Sequence, residues 1–456
     1  MLHISTIEQA APRAYIRTLF FYQLPENYSK DTTSTILREG LTATLKSIPL
    51  LSAEIVLNEG EERKQRGKLT IRPSKFTHFY EADYRHGSSF PWTYEQLKRK
   101  NFPTGPLSGE LLFPWSNLPD LTTAKPVFGV QANFIDGGLI LGLCISHNKA
   151  DARAIYEITR VWSHHCRDLQ NDPSRSPSPL RLDPEVFADE PMTLDSDGDK
   201  SRGSGSIKSH PEYIISESPS IPPGLLKDNV RTKVYYFSSE KLKELKIDST
   251  PTDGSSWVST NDALTALMWS SIVAAQVKPD ARDLSRGSFN SVCVDGRLRS
   301  SPKLSPHYIG CTMFLVTPWA PTESIVNHDL KSLSKTVHKS IEAVDPEYID
   351  SIVRLHNSVP DYSRIDPASF PGLVDNSVFL TAWQKVPFYE VNWGPFMGGH
   401  CESIRTAWTG FFNGTAVAMP TSPDDGGIEV IIGLEEQNFE KFDNDGTWTK
   451  YATNRT

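Results

Sequence analysis

His147-Asn148-Lys149-Ala150-Asp151 sets an imidazole and a carboxylate four residues apart. At that spacing a histidine can serve as general base while the acid fixes the segment that carries it. Imidazole suits the task because its ordinary pKa lets it take and return a proton near neutral pH. With 12 histidines in 456 residues, roughly one H-x-x-x-D match arises by chance, and a core histidine with a satisfied hydrogen bond explains a single match equally well. A second match, His164-His165-Cys166-Arg167-Asp168, does occur. It falls at the polar end of an expected helix, with no strand to fix it, so context favours His147.

That context comes from the elements around it. Val127 to Phe134 and Leu139 to Ile145 are apolar runs joined by Asp136-Gly137-Gly138, a hairpin pattern. The second run ends at Ser146-His147, so a buried strand delivers the imidazole to a loop where its ring can face a cavity. A helix should follow, with Ile155, Ile158, Val161 and Trp162 on its apolar face. Upstream, Tyr15 to Gln23 reads as a strand, and Asp31-Thr32-Thr33 as the cap of a helix bearing Ile36, Leu37, Leu41, Leu45 and Ile48. Downstream, Val234 to Phe237 reads as a strand, and Thr260 or Asn261 as the cap of a helix carrying Leu264, Leu267, Met268 and Ile272. Phe289 to Val294, Met313 to Pro318, Val378 to Trp383 and Ile428 to Leu434 are further strands. Strands before and after helices, without regular alternation, make the class mixed α/β of the α+β kind.

A chain of 456 residues exceeds the size at which one core keeps growing, which favours two domains. The stretch from Arg167 to Pro223 is dense in Ser, Pro, Asp and Gly, including Ser174 to Pro179 and Asp195 to Asp199, and reads as a crossover. The expected division is 1–168 with the histidine motif, 169–223 as linker, and 224–456. Hydrophobic residues at 38% and charged residues at 22% fit globular domains and exclude general disorder. A net charge of −8 argues against nucleic acid or anionic membrane as the main partner.

Cys144, Cys166, Cys293, Cys311 and Cys401 form no C-x-x-C pair, so neither a disulfide framework nor a zinc site is signalled, and no metal is expected. Met1 to Pro12 lacks a signal-peptide core and no apolar run approaches the length of a bilayer span, which points to the cytoplasm and to no membrane partner. Asn27-Tyr28-Ser29 and Asn413-Gly414-Thr415 match the glycosylation pattern, without consequence in that compartment.

The run from Phe134 through Asp136-Gly137-Gly138 and Leu141-Gly142 to His147 and Asp151 resembles the catalytic region of the BAHD acyltransferases. Other segments are similar to the family in the same order. Ile48-Pro49-Leu50-Leu51 matches its proline-leucine turn, and Ser259 to Ala266 with Trp269 the helix behind its cofactor site, in the form seen in fungal trichothecene acetyltransferase-like members. Val294-Asp295-Gly296-Arg297 and Tyr308-Ile309-Gly310 are similar to its arginine segment and Y-F-G-N element. Thr381-Ala382-Trp383 resembles T-S-W, and Glu390-Val391-Asn392-Trp393-Gly394 resembles D-F-G-W-G. Asp425 to Leu434 and Phe439 to Phe442 are similar to the closing strand and helix.

This resemblance implies two chloramphenicol-acetyltransferase-like domains, mixed sheets flanked by helices, with an active-site channel at their interface. It implies an acyl-CoA, with acetyl-CoA the expectation, as co-substrate, and an alcohol or amine of a fungal-type secondary metabolite as acceptor. His147 would be the base and Asp151 a support of its loop, with Thr381 and Trp383 as candidate oxyanion donors and Ser259 and Thr260 near the cofactor arm. Arg297 would pair with Glu390 as a brace, joined by Trp393 and Gly394, and the protein would act as a monomer.

Blander roles compete at each position: Thr381 as a strand residue, Trp383 and Trp393 as core aromatics, and Ser259 and Thr260 as helix caps. Departures from the family occur at Ala152, which replaces a glycine, at Val391-Asn392, at one missing residue before Pro395, and at Cys311 in place of asparagine. Two other readings stay open, a condensation-type or noncanonical member using a carrier-bound donor or rearranging an ester, and a non-catalytic binding protein. Ser146 weighs against the former, since condensation domains generally have a histidine there, and the retained His147 and Asp151 weigh against the latter.

Overall fold

The computed structural model describes all of the chain except residues 1–2, 59–66, 87–88, 108–109, 172–177, 190–191, 193–205, 217–228, 253, 255–256, 279–285, 375 and 407–411. About half of the Ser/Pro/Asp-rich stretch, including Ser174 to Pro177 and Asp195 to Asp199, lies outside the described residues. The class is mixed α+β, as expected. It is built on a five-stranded and an eight-stranded sheet, each mixing parallel and antiparallel pairs.

The strand Tyr15–Gln23 lies near the centre of the five-stranded sheet and is buried on both faces. Its side chains alternate as a pleated strand requires. Ile16, Phe20 and Tyr22 enter one core, and Tyr15, Leu19 and Phe21 enter another with Phe90, Tyr94 and Leu97. The strands Phe128–Ile135 and Gly138–Ser146 form the hairpin expected from the apolar runs. Ile135 pairs with Gly138, and Gly137 between them adopts φ +81°, a left-handed conformation open to glycine at no steric cost.

Two helices cover one face of this sheet. Ala152–Asn171 buries Ile155, Ile158, Val161 and Trp162, and the Trp162 indole donates to Leu37 O at 2.9 Å in the helix Lys30–Ser47. That second helix is capped by Ser29, whose side chain accepts from Thr32 N, rather than by Asp31-Thr32-Thr33. The eight-stranded sheet holds the other expected strands, Val230–Phe237, Gly287–Asp295, Met313–Val316, Val378–Ala382 and Ile428–Glu435.

The sheets do not follow the division of the chain at 168 and 224. The strand Ser403–Thr406, from the C-terminal part, forms the edge of the first sheet and pairs with Thr18 to Phe21. Phe388, Val391, Trp393, Met397 and Ile404 fill the same core as Ile16 and Leu141. The C-terminal half thus supplies part of the N-terminal lobe. No helix among the described residues is long and apolar enough to cross a membrane.

Candidate active site

His147 follows the last residue of the Gly138–Ser146 strand, and its backbone N–H donates to Ala14 O at 2.9 Å. The next residues anchor the turn. Asn148 donates through Nδ2 to Glu8 O at 2.8 Å and Ala11 O at 3.0 Å. Lys149 Nζ meets Glu8 Oε2 at 2.5 Å and His3 O at 3.1 Å. Both charged groups of that pair are buried. The short helix Thr6–Ala10, fixed by the Ser5/Glu8 capping box, is therefore a platform beneath the histidine loop. Ser5-x-x-Glu8 is visible in the sequence as a cap, but nothing there marks Glu8 as the partner of Lys149.

Asp151 points away from this platform. Its Oδ1 accepts from Arg297 Nη2 at 2.8 Å and from Ala154 N at 3.0 Å, capping the helix Ala152–Asn171. Its Oδ2 accepts from Arg297 Nη1 at 2.7 Å and from Thr312 N at 3.1 Å. Burial works to raise the Asp151 carboxyl, yet the Arg297 charge and these bonds outweigh it and hold the group below its ordinary value. Arg297, itself buried, also bonds Asp295 Oδ1 at 3.0 Å and the carbonyls of Tyr308 and Gly310. Ala152 opens the helix, where alanine is favoured, so the replaced glycine costs no needed backbone freedom.

The expected Arg297–Glu390 brace is not formed. Glu390 is exposed in the single turn Phe388–Glu390, while the strand Gly287–Asp295 delivers Arg297 to the histidine loop, where Asp151 takes its guanidinium. Trp393 packs edge-on against Trp162, with ring centroids 4.9 Å apart, in the first core. Gly394 has φ +89°, and a Cβ there would lie 2.7 Å from the Gln170 amide, whose Nε2 donates to Trp393 O at 3.0 Å. Trp393 and Gly394 thus clasp the end of the Ala152–Asn171 helix rather than reach the site.

His147, Asp151, Arg297, Thr381, Trp383 and Ser259 line one cavity of about 1190 Å³ to which both halves of the chain contribute. Thr381 lies on the strand Val378–Ala382. Burial pushes the neighbouring Cys293 thiol up to about 12, against a hydrogen bond with Thr381. Trp383 N donates to Ala418 O at 2.8 Å, which fixes the backbone as the chain leaves that strand.

Ser259 is the N-cap of the helix Thr260–Gln276, in a capping box with Asp262. This places the cap one residue before Thr260, which opens the helix and is not among the cavity's lining residues. His338 Nδ1 lies 2.9 Å from Asp262 Oδ2 and its ring meets Trp257. All three line the cavity, and the sequence carried no signal for their meeting. Among the described residues there is no cluster of three or more ligating side chains that could hold a metal.

The ionisation of the base follows from its surroundings. Burial draws the His147 imidazole below its ordinary value, against its own carbonyl and the charge of Asp151, which pull upward. Cys311, the residue in place of the family's asparagine, puts Sγ 3.7 Å from His147 Nδ1. The ring at the cavity is therefore neutral near pH 7, the form in which it can accept a proton.

Comparison with solved structures shows the class of fold, that of the BAHD acyltransferases. A crystal structure of F. sporotrichioides TRI101 complexed with coenzyme A and T-2 matches with TM-score 0.81 and 24% identity over 100% of both chains. The chain belongs to the Transferase family, whose model matches residues 99–449, as the likeness of its motifs to the BAHD acyltransferases implied. Residues 14–166 match the trichothecene 3-O-acetyltransferase-like N-terminal domain. An eremophilane O-acetyltransferase of Penicillium rubens is 28% identical over 99% of this chain and 98% of its own length. A trichothecene 3-O-acetyltransferase of Saccharomyces cerevisiae is 27% identical over 97% and 92%.

Proposed function

We propose that this chain transfers an acetyl group from acetyl-coenzyme A to a hydroxyl of an apolar, fungal-type secondary metabolite, with His147 as general base. His147 takes the hydroxyl proton as the oxygen attacks the thioester carbonyl. The tetrahedral oxyanion collapses, the C–S bond breaks, and the coenzyme A thiolate takes the proton from the imidazolium. No acyl-enzyme forms. Thr381 and Trp383 are the proposed oxyanion donors, each worth about 2.7–4 kcal/mol of transition-state stabilisation. Asp151 and Arg297 hold the loop and touch neither substrate.

The observation that carries this reading is the His147 imidazole at a cavity lined by both halves of a chain from an acyltransferase family. The relatives named for O-acetyl transfer to eremophilane and trichothecene compounds support the choice of donor and acceptor. The protein acts in this reading as a soluble monomer in the cytoplasm. The test is release of free thiol from acetyl-CoA with a panel of terpenoid alcohols, comparing wild type with His147→Ala. A loss of roughly 10²–10⁴-fold in kcat is expected; equal rates in the two proteins would show the mechanism to be wrong.

A further inference from the structure

The cavity that holds His147 and the Asp262-paired His338 has a third histidine, one with no assigned task. His356 lies in the helix Pro346–Ser358 and is 1% exposed. It lines the cavity among Tyr213, Leu315, Ile365, Phe370 and Phe379, and its ring meets Tyr213 edge-on at 5.1 Å. Among the described residues, neither ring nitrogen has a hydrogen-bond partner. Of the described cavity-lining residues, Asn117, through Oδ1, is the other with a buried polar atom in this state.

A buried donor and acceptor left unpaired cost stability, so such groups are kept where something else completes them. The neighbouring His210 shows the contrast. It is buried too, yet its nitrogens meet Glu212 Oε1 at 2.9 Å and Ser351 Oγ at 2.8 Å. Burial, and after it the charge of His210, brings the His356 imidazole down to about 3. The ring is thus neutral, with one N–H to give and one lone pair to receive. Of the residues named around it, Leu315, Ile365, Phe370 and Phe379 have apolar side chains that offer neither, and Tyr213 meets the ring edge-on.

We infer that His356 is a recognition residue for the acceptor, forming a hydrogen bond to an oxygen substituent other than the hydroxyl that is acylated. The inference rests on the acetyl-transfer reading above. It narrows the acceptor to an apolar ring skeleton bearing at least two oxygens, one presented to His147 and one to His356. A site built to bond a substrate oxygen discriminates strongly against the analogue that lacks it, because its own polar group is then stranded.

The experiment uses the full chain with acetyl-CoA, a decalin mono-alcohol and a set of decalin diols that differ in the position of the second hydroxyl. For wild type, at least one diol should exceed the mono-alcohol by tenfold or more in kcat/KM. His356→Phe should bring that ratio close to one, mainly through KM, and His356→Gln, which keeps a donor and an acceptor, should retain part of it. A wild-type protein that treats every diol like the mono-alcohol overturns the inference, as does an undiminished ratio in His356→Phe. Calorimetric binding of the same compounds separates the two readings. Tenfold tighter diol binding that His356→Phe abolishes supports recognition even where no acetyl is transferred, whereas equal transfer to all acceptors sinks recognition and leaves acetyl transfer standing.

Discussion

Asp151 and Arg297 meet through two parallel hydrogen bonds of 2.7 and 2.8 Å, joining the loop of the histidine to the strand end of the opposite half. The planar guanidinium matches the carboxylate fork, which gives direction as well as charge. The pair ties the two halves together beside the cavity that His147 lines.

Removing Arg297 leaves Asp151 buried without a cationic partner, whereas removing Asp151 leaves Arg297 its contact with Asp295. Arg297→Ala should cost about 3–5 kcal/mol in chemical denaturation, Asp151→Ala less than that, and the double variant clearly less than the sum. Glu390→Ala combined with Arg297→Ala should be additive, since those residues do not touch. Additivity between Asp151 and Arg297 would show that they are not coupled in solution.

The depressed pKa of His147 has a kinetic counterpart. The base must be neutral, so kcat/KM should be level on the alkaline side and fall as acid protonates the ring. The midpoint should lie below the ordinary histidine value near 6.5. A rate profile over about pH 5 to 9 reads this directly, and a midpoint above that value would contradict the burial of the ring.

Glu8→Gln tests the platform under the loop. Lys149 would keep its charge without a counter-ion in a buried site, a loss of about 3–5 kcal/mol in stability. Looser placement of His147 should lower kcat by roughly 10- to 100-fold. KM for acetyl-CoA should move little, because Glu8 is not among the residues lining the cavity.

His356 makes a separate prediction about acid. Its folded pKa is depressed to about 3, so between about 6.5 and 3 the unfolded chain binds a proton that the native chain does not. Stability therefore falls as pH drops through that window, by at most ~1.4 kcal/mol per pH unit. Melting curves of His356→Phe across the same range should decline less steeply than those of wild type. Parallel curves would mean that the imidazole titrates normally.

What the sequence revealed is local. Two continuous apolar runs and the Asp-Gly turn located the hairpin that presents His147, and the 3.6 period located the helix behind it, because side-chain burial leaves those patterns in the residues themselves. Thr381 and Trp383 came only through likeness to a family motif. Glu390 was misplaced as the partner of Arg297 for the same reason, since a motif carries no coordinates. The Lys149–Glu8 pair, the His338–Asp262 contact and the unpartnered His356 were illegible. The two contacts join residues far apart in the chain, and no periodicity records which loops meet or which ring is left without a partner among them.

The edge strand Ser403–Thr406 has a consequence for how this protein is made. Until residue 406 has left the ribosome, the Thr18 to Phe21 edge it covers waits with its amides and carbonyls bare, an invitation to pair with another nascent chain. The sheet that presents His147 is thus finished by residues far downstream in the chain. A truncated chain ending at residue 168 should accumulate as aggregate rather than as a folded half.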